Sequence, residues 1–404
     1  MSRLKFLHIL ILCLSLFGCG RNSRISNGIQ QEFYPGGEIH FETTYKDGHR
    51  QGPTKEYYLS GKLKSEVPYV NDLRQGPYTE YYESGKLKST GSFEADELST
   101  EAKNFYENGQ VQAVVSYVRN NPHGSLKEFY SNGQLKKIGE YVLGSREGEF
   151  IGYYPDGKLL YKEFYQTDEL EGARREFFSS GQIKREENYA DGYLDGIVKE
   201  YHESGELKTV EGFRSGKRHG VFKSYSETGE LVFSWNYKDG QKHGPGREYY
   251  PNGAWQRVEN YKNGKLNGEA KEYFEDGSLK KHEYYIDGLR AGKLLTYFPS
   301  GHLRGIGSYR YGQLYGSSMI YDQKGQVQLK AEFLDEKLNG PSQEFFRNGK
   351  YKIIASYKDN KKDGEYLEFY PDGSVRLKSR YENGKLLVSQ EFDQKGKLIE
   401  ERKF

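Results

Sequence analysis

The chain has 404 residues, with 60 Lys and Arg against 58 Asp and Glu, a formal net charge of +2, 35% hydrophobic residues and 15% aromatic residues. Near-neutral charge excludes the basic excess with which a nucleic-acid binder replaces counterions, and the modest apolar content excludes a single thick core. The 37 Tyr and 22 Phe suit half-exposed positions, ring packed and hydroxyl in water, and the 49 Gly imply frequent turns.

The first element is a leader over residues 1–18. Arg3 and Lys5 form a basic head, and Phe6 to Phe17 form an apolar run. That run is too short to cross a bilayer core, which takes roughly 20 residues of helix, so it reads as a secretory signal outside the fold. It ends in Leu16-Phe17-Gly18-Cys19, which resembles the lipobox of bacterial lipoproteins. The resemblance implies cleavage before Cys19, lipidation of that cysteine and membrane attachment through the N-terminal lipid. Gly20, where an aspartate would favour inner-membrane retention, points to the outer membrane over the inner. Cys13 leaves with the leader and Cys19 carries lipid, so no thiol pair is left for a disulfide. Loss of Arg3 and Lys5 leaves 58 basic residues, equal to the 58 acidic ones. Residues 19–30 are the lipidated cysteine and a polar tether, and no second apolar stretch is long enough to cross a membrane.

Residues 31–404 are a repeat array of about 15–16 units. Glycine recurs at 37, 61, 85, 109, 133, 157, 181, 205 and on to 373, always at an interval of 24 residues, and Tyr or Phe recurs at the same interval from 45 to 381. The glycine sits in Tyr58-Leu59-Ser60-Gly61-Lys62, and later units carry E-N-G, S-N-G, P-D-G or P-N-G there. That is the chemistry of a short hairpin loop, a type I turn followed by a left-handed residue. Gly61, Gly85, Gly109, Gly133, Gly157, Gly181 and Gly205 are therefore structural turn residues. A second turn comes after the aromatic: its third residue is Gly, Asn or Asp except at Glu336, and another glycine comes four later except at Thr100 and Val388. Each unit reads as strand, tight turn, strand, wider turn. Alternation puts Leu63, Ser65, Val67 and Tyr69 on one side and Lys64 and Glu66 on the other. The expected fold is all-β, an elongated, twisted antiparallel meander of tandem 24-residue β-hairpin repeats with very little helix. At the C-terminus Gly396 arrives after 23 residues, and the charged Glu400-Glu401-Arg402-Lys403 reads as a cap.

E-Y-Y-x-S/N-G-x-L-K followed by Y-x-D-G-x-x-x-G resembles the MORN-variant repeat found in bacterial proteins grouped as YwqK-like antitoxins. The resemblance covers Gln31 to Phe404 and implies a β-hairpin array used in interactions. The chain departs from classical MORN arrays in its extra residue per unit and its lack of a recurrent tryptophan. It departs from the antitoxins in its leader and Cys19.

Three sets of residues are candidates for chemistry. The glutamate before the aromatic pair (Glu56, Glu80 and their equivalents) falls opposite Lys64 and Lys88 across a hairpin centred on Ser60, which makes an exposed cross-strand ion pair. His123, His219 and His243 share a slot before the turn glycine that elsewhere accepts Gln51 or Asn267, so they read as turn residues rather than metal ligands. No nucleophile elbow, phosphate-cradling loop or zinc-protease motif appears, and neither a cofactor nor catalysis is expected. Trp235 and Trp255, on the same face by parity, are candidate partner-binding residues. The expected function is that of a non-catalytic scaffold, anchored by lipid in the cell envelope, for protein or envelope-polymer partners; neutralisation of a toxin is the alternative.

Overall fold

The computed structural model describes residues 26–404; the leader, Cys19 and most of the tether lie outside the described residues. No helix occurs among the described residues. The chain divides into two compact units, one of residues up to Arg146 with Pro155–Gly157, the other of Glu147–Tyr154 with Lys158–Phe404. In the first, strands pair antiparallel in chain order, from Gly28–Phe33 against Ile39–Lys46 to Asn121–Phe129 against Leu135–Val142. The second repeats this to Lys385–Phe392 against Leu398–Lys403. The expected antiparallel meander of tandem hairpins is present in both.

The glycine loop has the predicted form. Gly61 N–H donates to Tyr58 O at 2.8 Å and Tyr58 N–H donates to Lys62 O at 2.9 Å, which encloses Leu59-Ser60-Gly61. The seven turn glycines from Gly61 to Gly205 have φ between 75° and 95°, where a Cβ would be strained. The second turn is not the wider one. Lys46 pairs directly with His49, leaving Asp47 (φ 53°) and Gly48 (φ 85°) as a two-residue loop. Positive φ at both central residues is a type I′ turn, whose twist suits two antiparallel strands.

The later glycine marks a bulge. On the strand after the type I′ turn, pairing jumps from Tyr45↔Arg50 to Thr43↔Thr54, with Gly52 at φ 113° inside the jump. Thr100 keeps this bulge at φ 81°, a strained conformation for a β-branched residue that costs on the order of 1–3 kcal/mol. Val388 escapes the strain differently. Pairing there runs from Tyr381↔Leu386 to Arg380↔Val388, so one residue fewer is looped out. That is where the 23-residue unit loses its residue.

A further bulge, at the tight-turn end, resets the faces. Tyr57 pairs with Leu63 but Glu56 pairs with Ser65, so Lys64 is the extra residue. Lys64 and Ser65 both reach Glu56: Lys64 Nζ donates to Oε1 at 2.6 Å and Ser65 Oγ to Oε2 at 3.3 Å. Glu56 therefore lies with Ser65, Val67 and Tyr69 on the packed face, and Leu63 turns with Tyr57 to the other, open face. This corrects the simple alternation that grouped Leu63 with Ser65. It also corrects the glutamate pair, which is directly opposite a serine and half-buried rather than exposed.

The core is a stripe along the packed face. In the first unit Val67, Tyr69 and Tyr78 are buried together, with Phe93 and Leu98 against them. Cross-strand partners in this stripe complement each other in volume: Tyr78 faces Gly91, and Leu126 faces Gly139. Close packing tolerates little change in summed volume, so a large residue on one strand is matched by a small one opposite.

Candidate interaction surface

Three side-chain systems recur from hairpin to hairpin. The first belongs to the second aromatic of the E-Y-Y run. Tyr34, Tyr58, Tyr82, Tyr106, Tyr154 and Tyr250 each donate their hydroxyl to the backbone carbonyl 23 residues on, at 2.7–2.9 Å. These hydroxyls are not simply wet, as composition suggested: they tie one hairpin to the next. Tyr58→Phe is expected to lose this bond to Tyr81 O and about 1 kcal/mol of stability, measured by urea unfolding. No change in midpoint would remove the bond's energetic role.

The second system is a run of carboxylates on the packed face of the second unit. Glu163, Glu187, Glu211, Glu259 and Glu283 occupy the slot that holds Val67 in the first unit. Each of four accepts a hydroxyl from the tyrosine two residues on: Tyr165 at 2.9 Å, Tyr189 at 3.3 Å, Tyr261 at 2.8 Å and Tyr285 at 3.1 Å. Cations complete the sites. Arg174 bridges Glu163 at 3.2 Å and Glu187 at 2.7 Å, Arg218 meets Glu211 at 2.8 Å, and Arg290 meets Glu283 at 2.8 Å. Burial, then the Glu259 bond, pushes the Tyr261 hydroxyl well above its ordinary range. Sequence reading passed over this run; its signal was a glutamate two residues before the recurrent aromatic in successive units.

The histidines serve the type I′ turns. His123 Nδ1 accepts from Leu143 N–H at 3.3 Å and His243 Nδ1 from Asn263 N–H at 3.5 Å, as Gln51 Oε1 does from Asn71 N–H at 3.1 Å. His219 Nδ1 instead lies 3.6 Å from Asp239.

The third system lies on the open face. Beside the tight turns the first aromatic of each pair faces an aliphatic or aromatic residue across the strand, as in Tyr57↔Leu63, Tyr201↔Leu207, Tyr249↔Trp255 and Phe345↔Tyr351. Tyr57 there donates to Glu42 at 2.6 Å, and burial followed by that bond raises its hydroxyl to about 12.

The two tryptophans separate. Trp235 is buried on the packed face at 6% exposure, edge-on to Tyr261 at 5.6 Å and covered by Lys242 Nζ at 3.5 Å. Trp255 is 48% exposed and touches Arg247 (5.6 Å) and Tyr273 (6.1 Å) on the open face. The parity that placed them together fails because Glu248 pairs with Arg257 and Tyr249 with Trp255, which leaves Gln256 as an extra residue between Trp255 and the rest of its strand. Trp235 belongs to the core; Trp255 remains available to a partner.

Thirteen segments match the family described as MORN repeat variant: residues 26–47, 50–71, 74–95, 99–119, 122–142, 146–167, 170–191, 194–212, 218–239, 242–263, 266–287, 338–359 and 362–383. No curated protein matches the chain. Among solved structures, a Photorhabdus luminescens Tc holotoxin pore is 11% identical over 93% of this chain and 25% of its own, at a TM-score of 0.16. A TcdB2-TccC3 structure without its hypervariable C-terminal region is 11% identical over 93% of this chain and 24% of its own, at 0.17. The chain thus spans about a quarter of those chains, and superpositions this poor carry nothing about its activity or partners.

Proposed function

We propose, on the premise that this chain belongs to the MORN repeat variant family, that it is a lipid-anchored envelope protein whose repeats bind partners without catalysing a reaction. The observation that carries the reading is where the polar groups go. Turn amides, tyrosine hydroxyls and packed-face carboxylates each make the same bond in successive hairpins, which is structural use rather than the irregular cluster of a reacting site. What the repeat leaves over is the open face, with rows of side chains at fixed spacing.

The export and anchoring part rests on the leader and on Leu16-Phe17-Gly18-Cys19. Cys19→Ala should abolish acyl labelling and release the protein from membranes; retained label would overturn the anchor. The binding part is tested by affinity capture with the full chain from detergent-solubilised envelopes. A stoichiometric protein or polymer partner, lost on Trp255→Ala, supports it; recovery unchanged by any open-face substitution counts against it. The resemblance of the E-Y-Y-x-S/N-G-x-L-K run to antitoxin repeats favours a second reading, neutralisation of a toxin outside the cytoplasm. Captured partners without toxicity would set that reading aside.

A further inference from the structure

In the second unit the open face between Ile197 and Lys262 carries cations and no carboxylate. Lys199 stands opposite Val210, Lys223 opposite Ser234, and Arg247 opposite Val258. None of these three cations meets a carboxylate within the described residues, whereas the same slot on either side is neutralised: Arg175 by Glu186 at 3.2 Å and Lys271 by Glu269 at 2.6 Å. Arg247 Nε is buried without a hydrogen-bond partner. Toward the type I′ turns, Arg214 faces Lys217 and Lys262 faces Lys265 directly across the strands. Like charges in that position are destabilising, so the fold tolerates a concentration of positive charge that no carboxylate among the described residues neutralises, Arg247 alone having the Trp255 ring beneath it at 5.6 Å.

The spacing narrows the partner. Equivalent residues of successive hairpins are two strands apart, about 9.6 Å. A polyproline-II chain repeats every three residues at roughly 3.1 Å per residue, about 9.3 Å per turn. An acidic residue at every third position of such a chain would meet Lys199, Lys223 and Arg247 in turn. Two residues along the same strands, about 7 Å away, lie Tyr225 and Tyr249, with the exposed Trp255 opposite Tyr249 on the next strand, the kind of aromatic wall against which polyproline-II segments dock. Neighbouring strands rotate by roughly 20–25°. A flexible chain can track that rotation, whereas a rigid flat surface would touch only part of the row.

We propose that this strip is a docking groove for an extended segment of a partner protein that carries Asp or Glu at every third position in polyproline-II conformation. The inference rests on the reading of the array as an interaction module and names its ligand class. The test uses the full chain and a fluorescent peptide of four Glu-Pro-Pro triplets, monitored by anisotropy, beside a peptide of identical composition with its four glutamates contiguous. The spaced peptide should bind about ten-fold tighter than the clustered one. Joint Lys199→Gln, Lys223→Gln and Arg247→Gln should weaken it by about ten-fold or more, while the same change at the turn lysines Lys62, Lys86 and Lys158 should not. Trp255→Ala should weaken binding without altering its salt dependence. Equal affinity for both peptides, or comparable binding of a single-stranded oligonucleotide or an anionic vesicle, would reduce the strip to unspecific charge and overturn the proposal. A partner captured from envelopes equally well by the triple variant would keep the interaction module and overturn this groove alone.

Discussion

Gly246→Ala is expected to destabilise the second unit by about 3 kcal/mol, far beyond the usual cost of a methyl group. Gly246 is buried on the packed face opposite Glu259. A Cβ built there falls inside the ring of Trp235, against Cε3 and Cζ3. Its φ lies outside the left-handed region, so the cost is steric alone. The ring is hemmed in on several sides: Lys242 covers one face, Tyr261 meets it edge-on, and Phe233 lies 6.4 Å away. Urea unfolding monitored by tryptophan fluorescence should show the loss. In a Trp235→Leu background the added cost of Gly246→Ala should fall below about 1 kcal/mol, since the two sites then no longer conflict. Equal costs in the two backgrounds would show that something other than the indole occupies the space.

The two tryptophans mark the boundary between what a repeat sequence discloses and what it hides. A 24-residue metre with glycine in E-N-G and P-N-G contexts determines hairpins, because left-handed backbone at a fixed count leaves few alternatives. Gly61 and its equivalents behave accordingly. Bulges are invisible to that metre. They add a residue without altering the repeat length, and each one inverts the parity of the residues beyond it. Lys64 thus joins Glu56, Leu63 joins Tyr57, and Trp255 parts from Trp235. The tyrosine hydroxyls eluded composition for another reason. Their acceptors lie 23 residues away in the next hairpin, so no window of one unit contains both ends. The open-face cations were hidden by the average: 60 basic residues balance 58 acidic ones over the chain, but Lys199, Lys223 and Arg247 share a face with no acid among them.

Arg174→Ala is expected to cost about 2–3 kcal/mol at neutral pH, although the residue is a charged one on a sheet with little interior. Its guanidinium joins Glu163 and Glu187, and the Glu187 side chain is only 5% exposed. Burial alone would favour the neutral form; the bonds from Glu187 and then Glu163 outweigh it and hold Arg174 above its ordinary value. Removing the arginine leaves Glu187 with Arg185 at 2.7 Å, and leaves Glu163 with the Tyr165 hydroxyl. Burial favours the protonated form of a carboxylate and the loss of a cationic partner strengthens that preference, so such a group holds its proton more tightly folded than unfolded. Stability linked to such a group is present below the unfolded pKa and is lost as pH rises through the folded one. The deficit of Arg174→Ala should therefore shrink from pH 7 to about pH 4.5, whereas Gly246→Ala, a steric defect, should cost the same at both. Urea unfolding of the two variants at both pH values separates the mechanisms. A deficit below about 1 kcal/mol at pH 7, or one that does not change with pH, would mean that the packed-face carboxylates are solvated well enough to stand without their arginine.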